Sequence, residues 1–138
     1  MLIQTTRFGA LDLDESTFIH FPWGIPGFEE LKRYVLMDHR EGPLQWLQAV
    51  DEPSVAFVVC PPEVVGVRYT VPEERITPIQ VETPEDLVLL VMVSFDPTDK
   101  NLRLHLRSPL LFNASNRQAY QWTIDSSEIA RFVEKIQP

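Results

Sequence analysis

The sequence predicts an all-β domain, mainly antiparallel, folded as a compact β-barrel-like or sandwich structure with one short C-terminal helix. Twelve prolines and five glycines are scattered through the 138 residues and divide the chain into short segments. Several of these segments alternate apolar with polar residues or are rich in β-branched residues, as strands are. Helical spacing is sustained only near the end. Because a chain of this length suits one hydrophobic core, residues 1–138 are predicted to form a single domain.

The first half of the chain predicts short strands separated by Pro, Gly or acidic residues. The segment 2–13 suits two strands joined around Phe8-Gly9-Ala10, and 17–21 alternates well enough to be a third strand. A turn-rich loop follows. The remaining predicted strands of this half are 33–38, 44–50, 55–60 and 64–71.

The second half begins with one predicted helical turn, Thr83 to Asp86, because Thr can cap a helix and Pro suits its first turn. The run from Leu87 to Val93 has no polar residue, so this strand should be central, with both faces covered. Farther on, three leucines alternate with three basic residues, which predicts a strand with one wet face: Leu102, Leu104 and Leu106 against Arg103, His105 and Arg107.

The end of the chain predicts a hairpin and then a helix. Segments 109–113 and 118–124 should pair around 114–117, with Tyr120, Trp122 and Ile124 on one face. A period near 3.6 then predicts an amphipathic helix over 126–136, with a stripe of Ile129, Phe132, Val133 and Ile136. Packing of this stripe on the domain's own sheet is favoured over a partner-binding face, because a short helix is marginal in water unless it docks.

The charge balance favours protein partners over nucleic acid. Asp and Glu number 20 against 12 Lys and Arg, for a formal net charge of −8. Such a field repels phosphate backbones and favours basic partners, although it could serve solubility alone. Direct binding of nucleic acid is therefore not expected.

The sequence predicts a cytoplasmic protein that does not enter a membrane. The N-terminus lacks the pattern of a secretory signal, and the longest apolar run, Leu87 to Val93, is far shorter than the ~20 residues that cross a bilayer. The only cysteine, Cys60, follows an apolar run and is expected to be a buried, inert thiol. A reducing compartment suits such a chain.

Residue patterns that would indicate catalysis, a metal or a cofactor are missing from the sequence. His20, His39 and His105 are far apart and form no metal-ligand spacing. Adjacent carboxylates such as Asp51-Glu52 lie in turn-like segments, where nothing local would shift a pKa. The basic residues between Leu102 and Leu106 could attract an acidic partner, but an ordinary wet strand face explains them more simply. We therefore expect no catalytic, metal or cofactor site.

The most specific stretch is the shaped loop from Phe21 to Phe28, in which two prolines and two glycines accompany three large aromatic residues. It resembles the Phe-Pro-x-Gly-Ile-Pro-Gly-Phe signature of the FliW flagellar assembly family. Further segments resemble that family in the same order: 46–59, 83–93, 106–113 and 118–121. Ala49, the Ser-Pro-Leu sequence at 108–110 and the tail after Asp125 depart from the family pattern.

The resemblance implies a β-barrel-like domain that works by binding proteins and is not an enzyme. It implies two partners, flagellin through flagellin's C-terminal helical region and the RNA-binding translational repressor CsrA. In that family, free FliW sequesters CsrA from messenger RNA, while accumulated flagellin captures FliW and releases CsrA. The protein alone is expected to be a monomer. The acidic net charge is compatible with a basic partner such as CsrA.

Partner contacts are predicted first in the loop, at Trp23, Ile25, Pro26 and Phe28, because its geometry should expose apolar side chains. Asp51 and Glu52 are predicted as a second contact region. The alternative for the loop is an internal plug that closes one end of a barrel, and the sequence does not separate the two.

Two other functions remain open. Small β-barrels often bind nucleic acid, but this chain's three tryptophans are not interleaved with basic runs. A small hydrolase or isomerase would need a pocket with a perturbed carboxylate or histidine, and no spacing in the sequence suggests one.

Overall fold

The computed structural model describes residues 1–38 and 42–136, in which twelve strands alternate with short helical turns. The strands are β1 (Leu2–Thr5), β2 (Gly9–Asp12), β3 (Ile19–His20), β4 (Arg33–Asp38), β5 (Gln45–Ala49), β6 (Ala56–Cys60), β7 (Val67–Tyr69), β8 (Leu87–Asp96), β9 (Asn101–Leu104), β10 (Leu110–Asn113), β11 (Gln118–Gln121) and β12 (Val133–Lys135). The α-helices are α1 (Glu73–Ile76) and α2 (Ile129–Phe132). Five 3-10 turns lie at Glu15–Thr17, Pro62–Val65, Thr77–Ile79, Pro84–Asp86 and Ser126–Glu128.

The main sheet closes on itself into a seven-stranded barrel. Its strands follow the order β10-β11-β3-β4-β5-β6-β8, and β8 pairs again with β10 to complete the ring. Every pairing in the ring is antiparallel except that of β11 with β3. The all-β prediction is confirmed, and the barrel is the form that it takes.

Strand β8 is central, as its unbroken apolar sequence predicts. It pairs with β6, β9 and β10. Val88, Leu90 and Met92 face the barrel interior, while Leu87 and Leu89 pack in a cluster on the outer surface. The predicted turn before this strand is the 3-10 turn Pro84–Asp86. The hairpin of β10 and β11 is also confirmed, with a register that pairs Leu110 with Gln121.

The described residues form one hydrophobic cluster inside the barrel and two outside it. Inside the barrel, Tyr34, Leu47 and Val59 are fully buried. The β1–β2 hairpin covers one outer face through a cluster that includes Ile3 and Val35. The other outer face is covered by the segments around β7, α1 and the C-terminal end, which pack against β8, β10 and β11; the buried members of this cluster are Ile79, Leu111, Trp122 and Ile124.

The predicted C-terminal helix is shorter than expected. The segment 126–136 contains a 3-10 turn, the four residues of α2 and then strand β12, which pairs with β7. The Phe132 carbonyl accepts a hydrogen bond from the Thr70 amide (2.8 Å), so the backbone is held in the β7 ladder instead of continuing the helix. Ile129, Phe132 and Val133 still pack on the barrel, as the favoured alternative predicted.

The expectation of one buried face on β9 is wrong. All four residues of β9 are exposed, including Leu102 (63%) and Leu104 (39%). Strand β9 pairs with residues 93–96 of β8, and the β6 ladder ends at residue 93, so among the described residues no second layer covers the leucines of β9. Alternation marked the strand correctly, but burial depends on a neighbour that the local sequence does not specify.

The loop 21–31 crosses the open end of the barrel between β3 and β4 in tight turns. Amides in this loop donate to carbonyls three residues back: Gly24 to Phe21 (2.9 Å), Phe28 to Ile25 (2.6 Å) and Leu31 to Phe28 (3.0 Å). Gly24 has φ +69°, and a Cβ there would lie 2.5 Å from the Cα of Glu29. The loop therefore folds so tightly on itself that only glycine fits at this position.

We predict that Gly24→Ala destabilises the protein much more than Gly27→Ala. Gly27 also has a positive φ (+89°), but a Cβ there would meet no atom within 4 Å. The left-handed conformation alone should cost about 1 to 2 kcal/mol at either position. At Gly24 the backbone clash should add about 1 to 3 kcal/mol. Urea denaturation of both variants measures the difference, and equal losses would show that the contact with Glu29 is not a constraint.

Candidate protein-binding groove at the end of the barrel

The inner side of the loop is a plug. Phe21 is 1% exposed and Ile25 is 2% exposed, and both belong to the interior cluster. The ring of Phe21 meets that of Tyr34 edge to face at 5.1 Å between centroids. The plug alternative therefore describes these two residues. Ile25 was predicted to contact a partner, but its side chain is buried and presents no surface; it fixes the loop from within.

The outer side of the same loop exposes apolar side chains. Trp23 is 55% exposed and Phe28 is 38% exposed, and Pro26 is exposed as well. Each aromatic ring rests edge to face on a neighbour from the barrel: Trp23 on Tyr120 (6.0 Å) and Phe28 on Phe57 (5.1 Å). The rings are thus held in place while part of their surface stays open to solvent, which suits a contact with another protein.

Asp51 and Glu52 lie in the turn between β5 and β6, and buried Gln48 orders that turn. The Gln48 side-chain amide donates to the carbonyls of Ala49 (3.0 Å), Pro53 (3.3 Å) and Val55 (3.2 Å). Sequence reasoning missed this role of Gln48. A polar residue between the apolar residues Leu47 and Ala49 was the available signal, because a buried amide needs hydrogen-bond partners.

Arg33 holds Asp51 with two hydrogen bonds. The Arg33 guanidinium donates to the two carboxylate oxygens of Asp51 at 3.0 and 2.6 Å. This hydrogen-bonded pair lowers the pKa of Asp51 and raises the pKa of Arg33. The sequence reasoning did not assign Arg33 to the site. The β4–β5 hairpin supplied a signal, since the ladder pairs Tyr34 with Ala49 and so brings the residues just beyond them together.

The two predicted regions meet in one open groove of about 630 Å³, here called the acidic groove. Its lining combines the second half of the loop with the turn after β5: Gly27, Phe28, Glu29, Glu30, Leu31, Asp51, Glu52 and Val55. Phe28, Asp51 and Glu52 from the predicted set line this groove, whereas Trp23 and Pro26 lie outside its lining. Four of the lining residues are carboxylates and three are apolar, and Arg33 pairs with Asp51.

The four carboxylates of the acidic groove differ in how firmly they are held. Asp51 is bound by Arg33, Glu29 accepts a hydrogen bond from the Gly27 amide (2.6 Å), and Glu52 accepts one from the Ser54 hydroxyl (3.1 Å). Glu30 is exposed and, within residues 1–38 and 42–136, forms neither a hydrogen bond nor an ion pair. Glu30 is therefore the carboxylate best able to receive a cation from a partner.

The geometry of the acidic groove suits contact better than catalysis. A general acid needs a raised pKa, whereas the pKa of Asp51 is lowered by its hydrogen bond with Arg33.

Across the described part of the chain, no three His, Cys, Asp or Glu side chains converge as metal ligands would. His39, one of the histidines weighed for a metal, lies outside the described residues. None of the described helices is long and apolar enough to cross a membrane.

A second hollow, of about 710 Å³, lies between the segment 77–86 and the β10–β11 turn. Its most buried polar residue, Asn113, donates to the carbonyl of Ile79 (2.8 Å), and Asn116 donates to the same oxygen (3.0 Å). These amides hold the two segments together. The hollow therefore has a structural explanation, and none of the predicted contact residues lines it.

The family model and the relatives that match this chain all belong to one family. The family model described as FliW protein matches residues 2–132. A flagellar assembly factor FliW from Thermoanaerobacter pseudethanolicus is 36% identical over 132 residues, covering 93% of this chain and 88% of that protein. Another, from Syntrophus aciditrophicus, is 35% identical over 130 residues, covering 92% and 82%.

The fold agrees with a crystal structure of the flagellar assembly factor FliW. The two structures superpose with a TM-score of 0.82 at 23% sequence identity, covering all of this chain and 98% of the other. At that identity the likeness concerns the fold, which is the closed barrel described above. The match of the family model along almost the whole chain and the identity to the curated relatives show that the chain belongs to the FliW family of flagellar assembly factors.

Proposed function

We propose that this protein binds flagellin and antagonises the translational repressor CsrA, so that accumulated free flagellin lowers flagellin synthesis. The acidic groove supports the CsrA part of this proposal most directly. It joins two separately predicted contact regions, exposes the ring of Phe28 and has four carboxylates in the same lining. Such a surface suits a partner that offers basic side chains around an apolar group.

Competition with RNA follows from the charge of that surface. An RNA-binding repressor uses basic side chains to neutralise phosphates, and the same side chains would pair with the carboxylates of the acidic groove. The formal net charge of −8 further disfavours a complex that includes both this protein and RNA. Release of the messenger RNA would therefore need no enzymatic step.

Flagellin is proposed to bind through exposed apolar side chains near the same end of the barrel. Trp23 and Pro26 project from the loop outside the lining of the acidic groove. Trp23 is held by its edge-to-face contact with Tyr120, so little freedom would be lost when a partner covers it. An amphipathic segment that folds on binding could use such an anchor, and the two partners would then compete only where their footprints overlap.

The nucleic-acid alternative has weaker support. Stacking sites for single strands combine aromatic rings with a basic groove. Here Phe28 stands among carboxylates. Trp46, whose ring lies 4.5 Å from the Arg7 guanidinium, is the aromatic residue with the best cationic neighbour, but it is only partly exposed and Phe8 packs against its edge.

For CsrA, we predict that Glu30→Lys weakens binding about tenfold or more, because it replaces an available carboxylate with a repelling charge. Glu85→Lys is the matched control, since Glu85 is exposed and lies in the 3-10 turn before β8, outside the acidic groove. Calorimetry gives both affinities. In gel shifts, the parent protein should dissociate a complex of CsrA with flagellin leader RNA, and it should not shift the RNA by itself. Equal weakening by the two variants would indicate long-range charge rather than this groove.

For the loop, we predict that Ile25→Ala and Phe28→Ala separate stability from affinity. Ile25→Ala should cost about 2 to 5 kcal/mol of unfolding free energy, because Ile25 is buried in the barrel. Phe28→Ala should weaken at least one partner by about 1 to 3 kcal/mol, with a smaller loss of stability, because its ring is partly exposed. Thermal unfolding and calorimetry measure the two quantities. Full affinity of Phe28→Ala for both partners would remove Phe28 from the contact surface.

For flagellin, we predict binding in solution that is abolished when flagellin's C-terminal helical segment is deleted. Capture of an amphipathic segment buries apolar surface and orders a chain, so calorimetry at several temperatures should give a negative heat-capacity change. Trp23→Ala should weaken this complex, while Leu2→Ala, at a similarly exposed apolar residue on β1, should not. Equal affinity for complete and truncated flagellin would contradict the proposed binding segment.

A further inference from the structure

The hairpin of β8 and β9 extends past the closed barrel as a two-stranded ribbon. Strand β6 pairs with β8 only at residues 91–93, and β10 pairs with residues 87–90. Among the described strands, β9 is therefore the only one that pairs with residues 94–96. Strand β9 in turn has β8 as its only ladder partner within residues 1–38 and 42–136, so its outer edge is open.

The open edge of β9 presents backbone groups that can form hydrogen bonds. The His105 amide donates to the Met92 carbonyl (3.0 Å), which directs the backbone of His105, and of Arg103 two residues earlier, toward β8. Since successive residues of an antiparallel strand alternate in direction, the amides and carbonyls of Leu102 and Leu104 point away from β8. These are the groups with which an added strand would pair.

The chain itself shows how such a ladder begins. The amides of Trp122 and Ile124 donate to the carbonyls of Pro109 (2.9 Å) and Arg107 (2.7 Å), so the segment after β11 runs along the residues that follow β9. At Asp125 the chain turns away into the 3-10 turn Ser126–Glu128. The ladder stops just before it reaches β9, and an added strand would continue it.

One face of the ribbon is apolar and unusually exposed. The ladder pairs Phe95 with Leu102 and Val93 with Leu104, which puts all four side chains on the same face. Phe95 is 58% exposed and Leu102 is 63% exposed. Protected edge strands usually avoid such side chains, because an open edge with apolar residues invites another strand.

The charge of this segment is opposite to that of the molecule. Residues 100–107 contain two arginines, a lysine and a histidine but no acidic residue, in a chain whose formal net charge is −8. Asp96 and Asp99, from the other side of the turn, both bind Arg103 (3.0 and 2.9 Å) and so offset its charge. Residues 96–107 together still contain two arginines and a lysine against two aspartates, so the edge favours an acidic segment over a basic one.

We propose that the edge of β9 binds an extended segment of a partner protein by strand addition, and that this segment alternates apolar with acidic side chains. Its backbone pairs with Leu102 and Leu104, its apolar side chains cover the exposed face, and its carboxylates lie on the side of Arg103 and His105. A second copy of this chain fits less well, since its β9 would bring like charges side by side. This surface is separate from the acidic groove, whose lining it does not share.

The test uses synthetic peptides of about ten residues with blocked ends, which is long enough to span a strand of ordinary length. One peptide alternates Val with Glu, and a second alternates Val with Lys. A third has as many apolar and acidic residues as the first, but with Leu in place of Val and arranged at helical spacing. Fluorescence anisotropy measures binding. We expect the Val/Glu peptide to bind about tenfold more tightly than either of the others. Preference for the Lys peptide or for the helical one would overturn the proposal.

Two further measurements locate the site. The double variant Leu102→Gln/Leu104→Gln should weaken the Val/Glu peptide about tenfold, whereas Leu2→Gln, at a similarly exposed leucine on β1, should leave the affinity unchanged. In hydrogen exchange, bound peptide should protect the amides of Leu102 and Leu104. The proposal would be overturned by equal losses of peptide affinity in both variants, or by protection of amides elsewhere in the protein. It would also be overturned if sedimentation showed a dimer that the Leu102→Gln/Leu104→Gln variant does not form. None of these outcomes depends on flagellin or CsrA.

Discussion

Closure of the sheet between β8 and β10 obliges the chain to fill a barrel interior and to cover its open end. The pairs Leu110–Leu90 and Phe112–Val88 complete the ring, and without them the sheet would be open at two edges. Once the ring is closed, the loop 21–31 must supply both apolar filling and a tight path across the end. Ile25 provides the filling, and Gly24 allows the close approach to Glu29. Trp23 and Phe28 then project outward because their neighbours in the loop point inward.

How much of the fold could be predicted from the sequence depends on how far apart in sequence the interacting residues lie. Hairpins such as β10–β11 are specified by neighbouring residues, and the covered faces of β8 follow from its unbroken apolar run. Strand β12 was missed because its partner, β7, lies far away in sequence, and helical spacing in 126–136 gave no sign of that ladder. The exposure of the leucines of β9 was not predicted, because an alternating pattern indicates a strand but does not show whether another part of the protein covers it.

The candidate groove also depends on contacts between residues that are far apart in sequence. Its two halves were predicted separately, from the loop signature and from the acidic turn, but their meeting depends on the path of the barrel strands. The β4–β5 ladder fixes that path, and Arg33 at the start of β4 then binds Asp51 just after β5. Both side chains of this pair are partly exposed (32% and 47%), and the two hydrogen bonds between them fix the shape and charge of one wall of the groove. Of the four carboxylates in the groove, Glu30 is the one that no described residue engages.

The buried and exposed parts of the loop cannot be varied independently, and this affects how mutations in it should be interpreted. Ile25 and Phe28 are joined by a backbone bridge, so loss of packing at Ile25 would loosen the segment that presents Phe28. A partner that binds the loosened loop would have to order it, and this loss of conformational entropy would weaken binding; in the intact protein the packing of Ile25 already orders the loop. Lower affinity after a change at Ile25 is therefore no sign of contact. The exposed side of the loop owes its rigidity to the buried residues beneath it, so affinity is informative only when measured beside stability.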